Sequence, residues 1–399
     1  MKKIRKLTKK IMKIPILLFY RFCVMIFRVD KKIILFESNL GRNYSGNPRY
    51  IYEDIVSRGL DRKLQCYFIL EDPGVDIQGK VRKIKRISLS YFIVFAKAGF
   101  WVSDTRMPGY LIKRKAATYV QTWHGTPLKR LALDMFDIKM EGEGSLAGYK
   151  KEFVKNVSTW DYLISQNAYS TEIFRRAFAF DKEILEIGYP RNDILVNRNN
   201  AVEIRSIKKR LGLPENKKII LYAPTWRDDQ YLGPHSYKFA APIDFSCLRN
   251  ALSGGYIMII KAHYLVGEQL DISQYQGFLY QFDAGFDISE LYLVSDYLIT
   301  DYSSVMFDYS LLKRPMLFYT YDLEFYKNNL RGFYFDLLKE VPGPVVSTTE
   351  QLAAELLSYQ AEKYKAKYEA FVSKYNHADN GEASKKVVDL IVSHGGTGI

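Results

Sequence analysis

ISELYLVSDYLITDYSSVMFDY, residues 288–309, decides the reading of the fold. Its first seven residues have the spacing of an amphipathic helix, YLIT (297–300) is a short apolar run, and a polar turn leads to a second helix beginning near Ser304. A four-residue apolar run between helices is the pattern of a strand buried on both faces of a parallel sheet. Worked outward, the alternation fills the second half with strands at IILYA (219–223), YIMIIK (256–261), FLYQF (278–282) and PMLFY (315–319). The first half repeats it with KIILFES (32–38), QCYFIL (65–70), FWVSD (100–104), YVQTW (119–123), YLIS (162–165) and ILEI (184–187), and with an amphipathic stretch at 49–57. Strands alternating with helices make each half a doubly wound α/β unit. The expected architecture is two Rossmann-like domains with a cleft between them. The polar segment 189–217 reads as the hinge, and the tail from Thr348 as two amphipathic helices broken at Asn380 and Gly381.

A length of 399 residues allows two or three domains, each with its own core. Cys23, Cys66 and Cys247 stand far apart, which excludes a disulfide framework and a cysteine-rich zinc site. The net charge of +14 has the sign of a nucleic-acid binder, but it is concentrated at one end. Residues 1–32 hold eleven Lys or Arg against one acid, Asp30, and the rest of the chain is left with a net of only +4. No nucleic-acid partner is expected. Apolar runs at 14–20 and 22–27 are closed by Arg21 and Arg28, so neither reaches the roughly 20 residues of a spanning helix. The same arginines break the apolar region a signal peptide needs. A basic amphipathic segment lying in the headgroups of an anionic, cytoplasm-facing leaflet fits this composition. The alternative is a first helix packed on the core behind a solvated basic lead-in.

Ligands of open α/β sheets bind beyond the carboxyl ends of the strands, and four such ends carry distinctive chemistry. In QTWHGTPLKR (121–130), His124 closes a strand, Gly125 allows close approach to a ligand, and Lys129 and Arg130 follow. A neutral imidazole there can take a proton from a hydroxyl, and the neighbouring cations favour that neutral form. Lys261 and His263 share one face of a strand end and suit a phosphate. Ser303 and Ser304 sit at a helix start where free N–H groups attract anions, although the same serines would serve as simple caps. Arg227 in YAPTWRD (222–228) can clamp a phosphate or be an ordinary loop arginine. No DxD pair offers a Mg²⁺ platform, with Asp301 and Asp308 the remaining carboxylates there, so no metal or cofactor is expected.

Taken in order, WHGTPLK (123–129), YAPTWR (222–227), KAH (261–263), the 288–309 stretch with Arg314 and Pro315, and RGFYFD (331–336) resemble the CDP-glycerol glycerophosphotransferase family of wall teichoic acid synthesis. The resemblance runs over about residues 33–390. It implies a GT-B fold, with a basic segment at 1–31, an acceptor domain at 32–195, a donor domain at 196–375, and a final helix at 376–399 packing back on the first domain. It also implies transfer of glycerol phosphate or ribitol phosphate from a CDP-alditol to an undecaprenyl-diphosphate-linked acceptor, with release of CMP, at the cytoplasmic membrane face. His124 and His263 take the places of the family's essential histidines. Asp287, Ile288, Ser289 and Glu290 fall on the cytidine side, Ser303, Ser304, Arg227 and Lys261 at the donor phosphates, and Gly125, Thr126, Lys129 and Arg130 on the acceptor side. The longer polymerases of the family carry an extra amino-terminal region that this sequence lacks, which favours a primer-adding or short-chain enzyme and leaves a polymerase open. The competing enzyme reading is a GT-B glycosyltransferase that uses a nucleotide sugar for surface polysaccharide.

Overall fold

The computed structural model describes residues 2–137, 145–225, 231–233, 236–237, 242–261, 271–283, 285–323 and 332–395. The first sheet contains β1 (Asp30–Glu37), β2 (Gln65–Leu70), β3 (Val81–Lys85), β4 (Ala98–Ser103), β5 (Thr118–Gln121), β6 (Tyr162–Ser165) and β7 (Glu183–Glu186), in the order β3-β2-β1-β4-β5-β6-β7. Every pairing in it is parallel. The second sheet, also parallel, contains β8 (Lys218–Tyr222), β11 (Tyr256–Ile260), β12 (Leu279–Gln281), β13 (Tyr297–Thr300), β14 (Met316–Tyr319) and β15 (Val345–Val346), in the order β12-β11-β8-β13-β14-β15. Between β8 and β11 lies a separate antiparallel pair, β9 (Tyr231–Gly233) and β10 (Ser236–Tyr237). Counted within each lobe, the sheets run 3-2-1-4-5-6-7 and 3-2-1-4-5-6, the doubly wound order whose direction reverses between its first and fourth strands. These reversal points are β1/β4 and β8/β13. This is the two-lobed GT-B arrangement.

The apolar runs became strands because both faces of each sheet are covered. The cores of β1, β4, β8 and β13 are buried without alternation. The strand β3 was not expected, because its sequence VRKIK is mostly exposed at a sheet edge and has no apolar run to give it away. The segment 189–217 joins the two lobes, as expected, and is itself folded. Tyr189, Pro190 and Asn192 are buried at the contact between lobes, and helices Asp193–Asn197 and Ala201–Arg210 follow.

The tail forms three helices rather than two, Thr349–Ser358, Ala361–Tyr375 and Ala383–His394. The expected break is present, with Gly381 at φ +84°. Val387, Val388 and Ile391 of the last helix join the core formed by Ile34, Phe36 and Phe68, so the end of the chain lies on the first lobe.

Helix α1 (Lys2–Ile26) continues through Pro15 and packs one side on the first lobe. Tyr20 and Cys23 enter the core beside Phe92 and Phe95, and the Tyr20 hydroxyl accepts from the Ile112 N–H at 3.1 Å. Its other side leaves Ile14, Leu18, Phe22, Met25 and Ile26 exposed, with Arg21 and Arg28 exposed among them. The segment is thus docked on the core by one side and presents apolar surface on the other. Among the described residues no helix is long and apolar enough to cross a membrane.

Candidate active site

The two reversal points face each other across a cavity of about 190 Å³. Its first-lobe wall is formed by Asn39, Asn43, Ser45 and Gly46 after β1, Asp104 after β4, and His124 after β5. The opposite wall is formed by Ala223, Pro224, Lys261, residues 286–289, Ser303 and Val305. Arg191 also lines it. A larger polar chamber of about 710 Å³ adjoins it, sharing Phe286 and Asp287 and reaching Arg49, Arg198, Arg210 and Glu290.

His124 owes its position to the residue before it. Trp123 adopts φ +52°, a left-handed conformation costing on the order of 1–3 kcal/mol in a bulky residue. Contacts with Trp160, Phe174 and Phe178 hold it there. The turn lays the imidazole on the indole, ring centroids 4.4 Å apart. The His124 Nδ1 lies 2.7 Å from the Asp104 carbonyl, which can only accept, so Nδ1 carries the proton and Nε2 keeps a lone pair. The residue is exposed on its cavity side, and the rest of the ring packs against protein. That burial pushes its pKa down to about 4; the Asp104 carbonyl opposes the shift, and the cations Arg191 and Arg106 add to it. At neutral pH the imidazole is an uncharged acceptor.

The facing wall supplies positive charge and donors. The Lys261 ammonium donates to the carbonyls of Asp283 (3.1 Å) and Phe286 (2.8 Å), and burial lowers its pKa to about 8 against the pull of Asp287 and Asp283. The buried Ser289 hydroxyl has no partner among the described residues, and its N–H is held by the Asp287 carboxylate at 2.8 Å. A Cβ on Gly125 would fall 2.7 Å from the Ser304 Oγ, so only glycine lets this turn of one lobe touch Ser304 of the other. The helix after Ser304 is short, Val305–Tyr309, and the Ser304 side chain does not cap it. The Ser303 hydroxyl accepts from the Val305 N–H at 3.4 Å.

Buried polar contacts fix the two walls relative to each other. Arg191 donates to the His124 carbonyl at 2.8 Å and pairs with Asp308 of the second lobe at 2.6 Å. Asn192 bridges Asp308 (3.1 Å) and Asp379 (3.2 Å), and Asp379 also accepts from Gln166 at 2.8 Å. At the rim Arg49 reaches Glu290 at 3.0 Å and Asp287 at 3.6 Å, while the Gly46 N–H donates to Asp287 at 3.3 Å. Elsewhere Lys129 and Phe333 form an antiparallel bridge, flanked by Arg130 N–H to Gly332 carbonyl (2.9 Å) and Tyr334 N–H to Leu128 carbonyl (3.0 Å).

Of the residues chosen from sequence, His124, Lys261, Asp287, Ile288, Ser289 and Ser303 line one cavity, with Gly125 and Ser304 meeting beside it. Glu290 belongs to the outer chamber, between Arg49 and Arg210. The acceptor-side set does not assemble as expected. Thr126 is buried against Gln166 and Asn167, Lys129 is tied into the interlobe bridge, and Arg130 lies over the rings of Phe136 and Tyr334. His263 and Arg227 fall outside the described residues. Sequence reasoning missed Asn39, Asn43, Ser45, Asp104 and Arg191. The signal was available for the loop: SNLGRNYSGN (38–47) follows the first strand of a doubly wound sheet and is rich in the Gly and Asn that positive φ demands.

Comparison with known proteins gives a consistent result. Residues 18–393 match the family described as CDP-Glycerol:Poly(glycerophosphate) glycerophosphotransferase. The teichoic acid poly(glycerol phosphate) polymerase of Bacillus subtilis (strain 168) is 46% identical over 393 residues, covering 98% of this chain and 52% of that protein. The chain thus spans about half the length of that relative. The protein of the same name from Bacillus spizizenii is 44% identical and is covered over 100% of its length, with 96% of this chain aligned. A solved structure of the wall teichoic acid polymerase TagF superposes with a TM-score of 0.89 at 42% identity, covering 99% of this chain and 97% of that one.

Proposed function

This chain belongs to the CDP-glycerol:poly(glycerophosphate) glycerophosphotransferase family, and on that premise we propose that it transfers glycerol phosphate from CDP-glycerol to a hydroxyl on a wall teichoic acid precursor, releasing CMP. One observation carries the reading: a neutral imidazole on one lobe faces an ammonium and serine hydroxyls on the other across a single cavity. The acceptor oxygen attacks the phosphorus that bears glycerol, its proton passes to His124 Nε2, and the bond from that phosphorus to CMP breaks. Lys261, Ser289, Ser303 and Ser304 hold the charge on the diphosphate, so positioning and electrostatics supply most of the rate. His263 and Arg227 are assigned to the same anion by sequence alone. The outer chamber, beyond Asp287 and Glu290, takes the nucleotide. The reaction is proposed to run without a metal, and full turnover in EDTA would support that.

The names of the similar polymerases favour glycerol over ribitol as the alditol. The exposed apolar side of α1, with Arg21 and Arg28, supports a peripheral position on an anionic cytoplasmic leaflet, where an undecaprenyl-diphosphate-linked acceptor would reside. The test is incubation of the protein with the lipid-linked disaccharide acceptor and, separately, CDP-glycerol, CDP-ribitol or a UDP-sugar. CMP and a product heavier by glycerol phosphate units support the reading, and the mass gives the number of units. Release of UDP instead would refute it in favour of a glycosyltransferase.

A further inference from the structure

We propose that the loop 39–46 and Asp104 form the hydroxyl-binding subsite that grips the alditol end of the acceptor beside His124. This rests on the transfer reaction proposed above and names the residues that hold its second substrate. Ligands in doubly wound sheets settle at the reversal of strand order, which in the first lobe lies between β1 and β4. The chain leaving β1 contributes Asn39, Asn43 and Ser45 to the cavity, and the chain leaving β4 contributes Asp104.

The chemistry of this wall suits a neutral polyol. Two amides, a hydroxyl and a carboxylate offer both donors and acceptors to hydroxyl groups. The positive charge that a phosphate needs lies on the opposite wall, at Lys261, whereas burial lifts the Asp104 carboxyl to about 7, so that it can donate to a hydroxyl as well as accept from one. Arg191, which also lines the cavity, is already paired with Asp308 at 2.6 Å.

The subsite is built rather than incidental. The Asp104 carboxylate is 2% exposed and accepts from the Asn39 N–H at 2.8 Å, and the Asn39 amide donates to Asn43 at 2.9 Å. Gly46, at φ +63°, passes so close that a Cβ would lie 3.2 Å from Asp104 Oδ2. Asn43 extends to the other lobe, its Cβ standing 3.5 Å from where a Cβ of Gly285 would be. The main-chain carbonyl of Asp104 anchors the His124 ring, so the residue that grips the acceptor also aims the base at it.

Steady-state kinetics with CDP-glycerol and a lipid-linked disaccharide bearing one glycerol phosphate decide the matter. Asp104→Asn keeps the main-chain anchor of His124 but weakens the grip, and is expected to raise the KM for the acceptor about tenfold or more while the KM for CDP-glycerol stays within about twofold. Asn43→Ala should move the same constant in the same direction, and stands as the deciding variant where Asp104→Asn lowers the melting temperature sharply. A rise in the donor KM, or an acceptor KM unchanged in Asn43→Ala, overturns the assignment. Wild-type protein that yields no CMP with this pair would instead refute the underlying transfer reaction.

Discussion

The proton-accepting role proposed for His124 requires an uncharged ring, and its surroundings favour that form. With its pKa pushed below the ordinary histidine range, the acid limb of kcat/KM should lie below pH 6.5. Replacing Arg191 with Gln removes one of the cations that lower it, so the limb should move to higher pH; an unmoved limb would leave burial as the whole cause. His124→Ala should cut CMP release about 10²- to 10⁴-fold while CDP-glycerol still binds by calorimetry. The same Arg191→Gln change strands the buried Asp308 carboxylate, and urea unfolding should show a loss of about 3–5 kcal/mol, partly restored by adding Asp308→Asn. Gly125→Ala forces a methyl group against Ser304 and spreads the walls, and about a 10²-fold fall in kcat with a lower melting temperature is expected.

Among the elements, α1 divides its sequence between two environments. Tyr20 and Cys23 face the core, whereas Leu18, Phe22 and Met25 face outward. Leu18→Glu with Met25→Glu should therefore reduce sedimentation with phosphatidylglycerol vesicles and leave the melting temperature unchanged, whereas Tyr20→Ala should lower that temperature. Loss of stability in the glutamate variant would place that face against protein instead. Elements buried on both faces were legible because their burial is written as continuous apolar runs, as in IILF of β1 and YLIT of β13. Edge strands such as β3, which share hydrogen bonds but little core, leave no such trace. Within the segment 189–217, Asn192 donates to Asp308 and Asp379 inside the lobe contact, partners that its sequence alone does not reveal. His124 and Lys261 could be found as odd residues ending apolar strands. Asp104 could not, because a carboxylate after a strand looks like an ordinary turn until topology places it at the reversal of the sheet.

At the scale of the whole molecule, buried carboxylates make stability depend on pH. Both Glu37 oxygens are buried without a hydrogen-bond partner among the described residues, and Arg86 Nε is 3.9 Å away. Burial lifts the Glu37 pKa to about 7, with Arg86 opposing. A carboxyl whose folded pKa exceeds its unfolded value stabilises the protein fully at low pH and loses that contribution as pH rises through the folded value. Thermal melting should therefore occur at a higher temperature at pH 6 than at pH 8, and Glu37→Gln should reduce the difference, the rest coming from Asp104 and Asp379, which burial also lifts to about 7.

The backbone bridge between Lys129 and Phe333 bears on how substrates come and go. Paired residues of an antiparallel bridge stand about 4.5–5.5 Å apart at Cα, a span a disulfide can close. Clamshell opening would tear this seam at every turnover, whereas exchange of spent nucleotide through the outer chamber would leave it intact. Locking the jaws with Lys129→Cys and Phe333→Cys should accordingly leave the oxidised enzyme cycling at the pace of its reduced form, with the turnover rate before and after dithiothreitol as the measure.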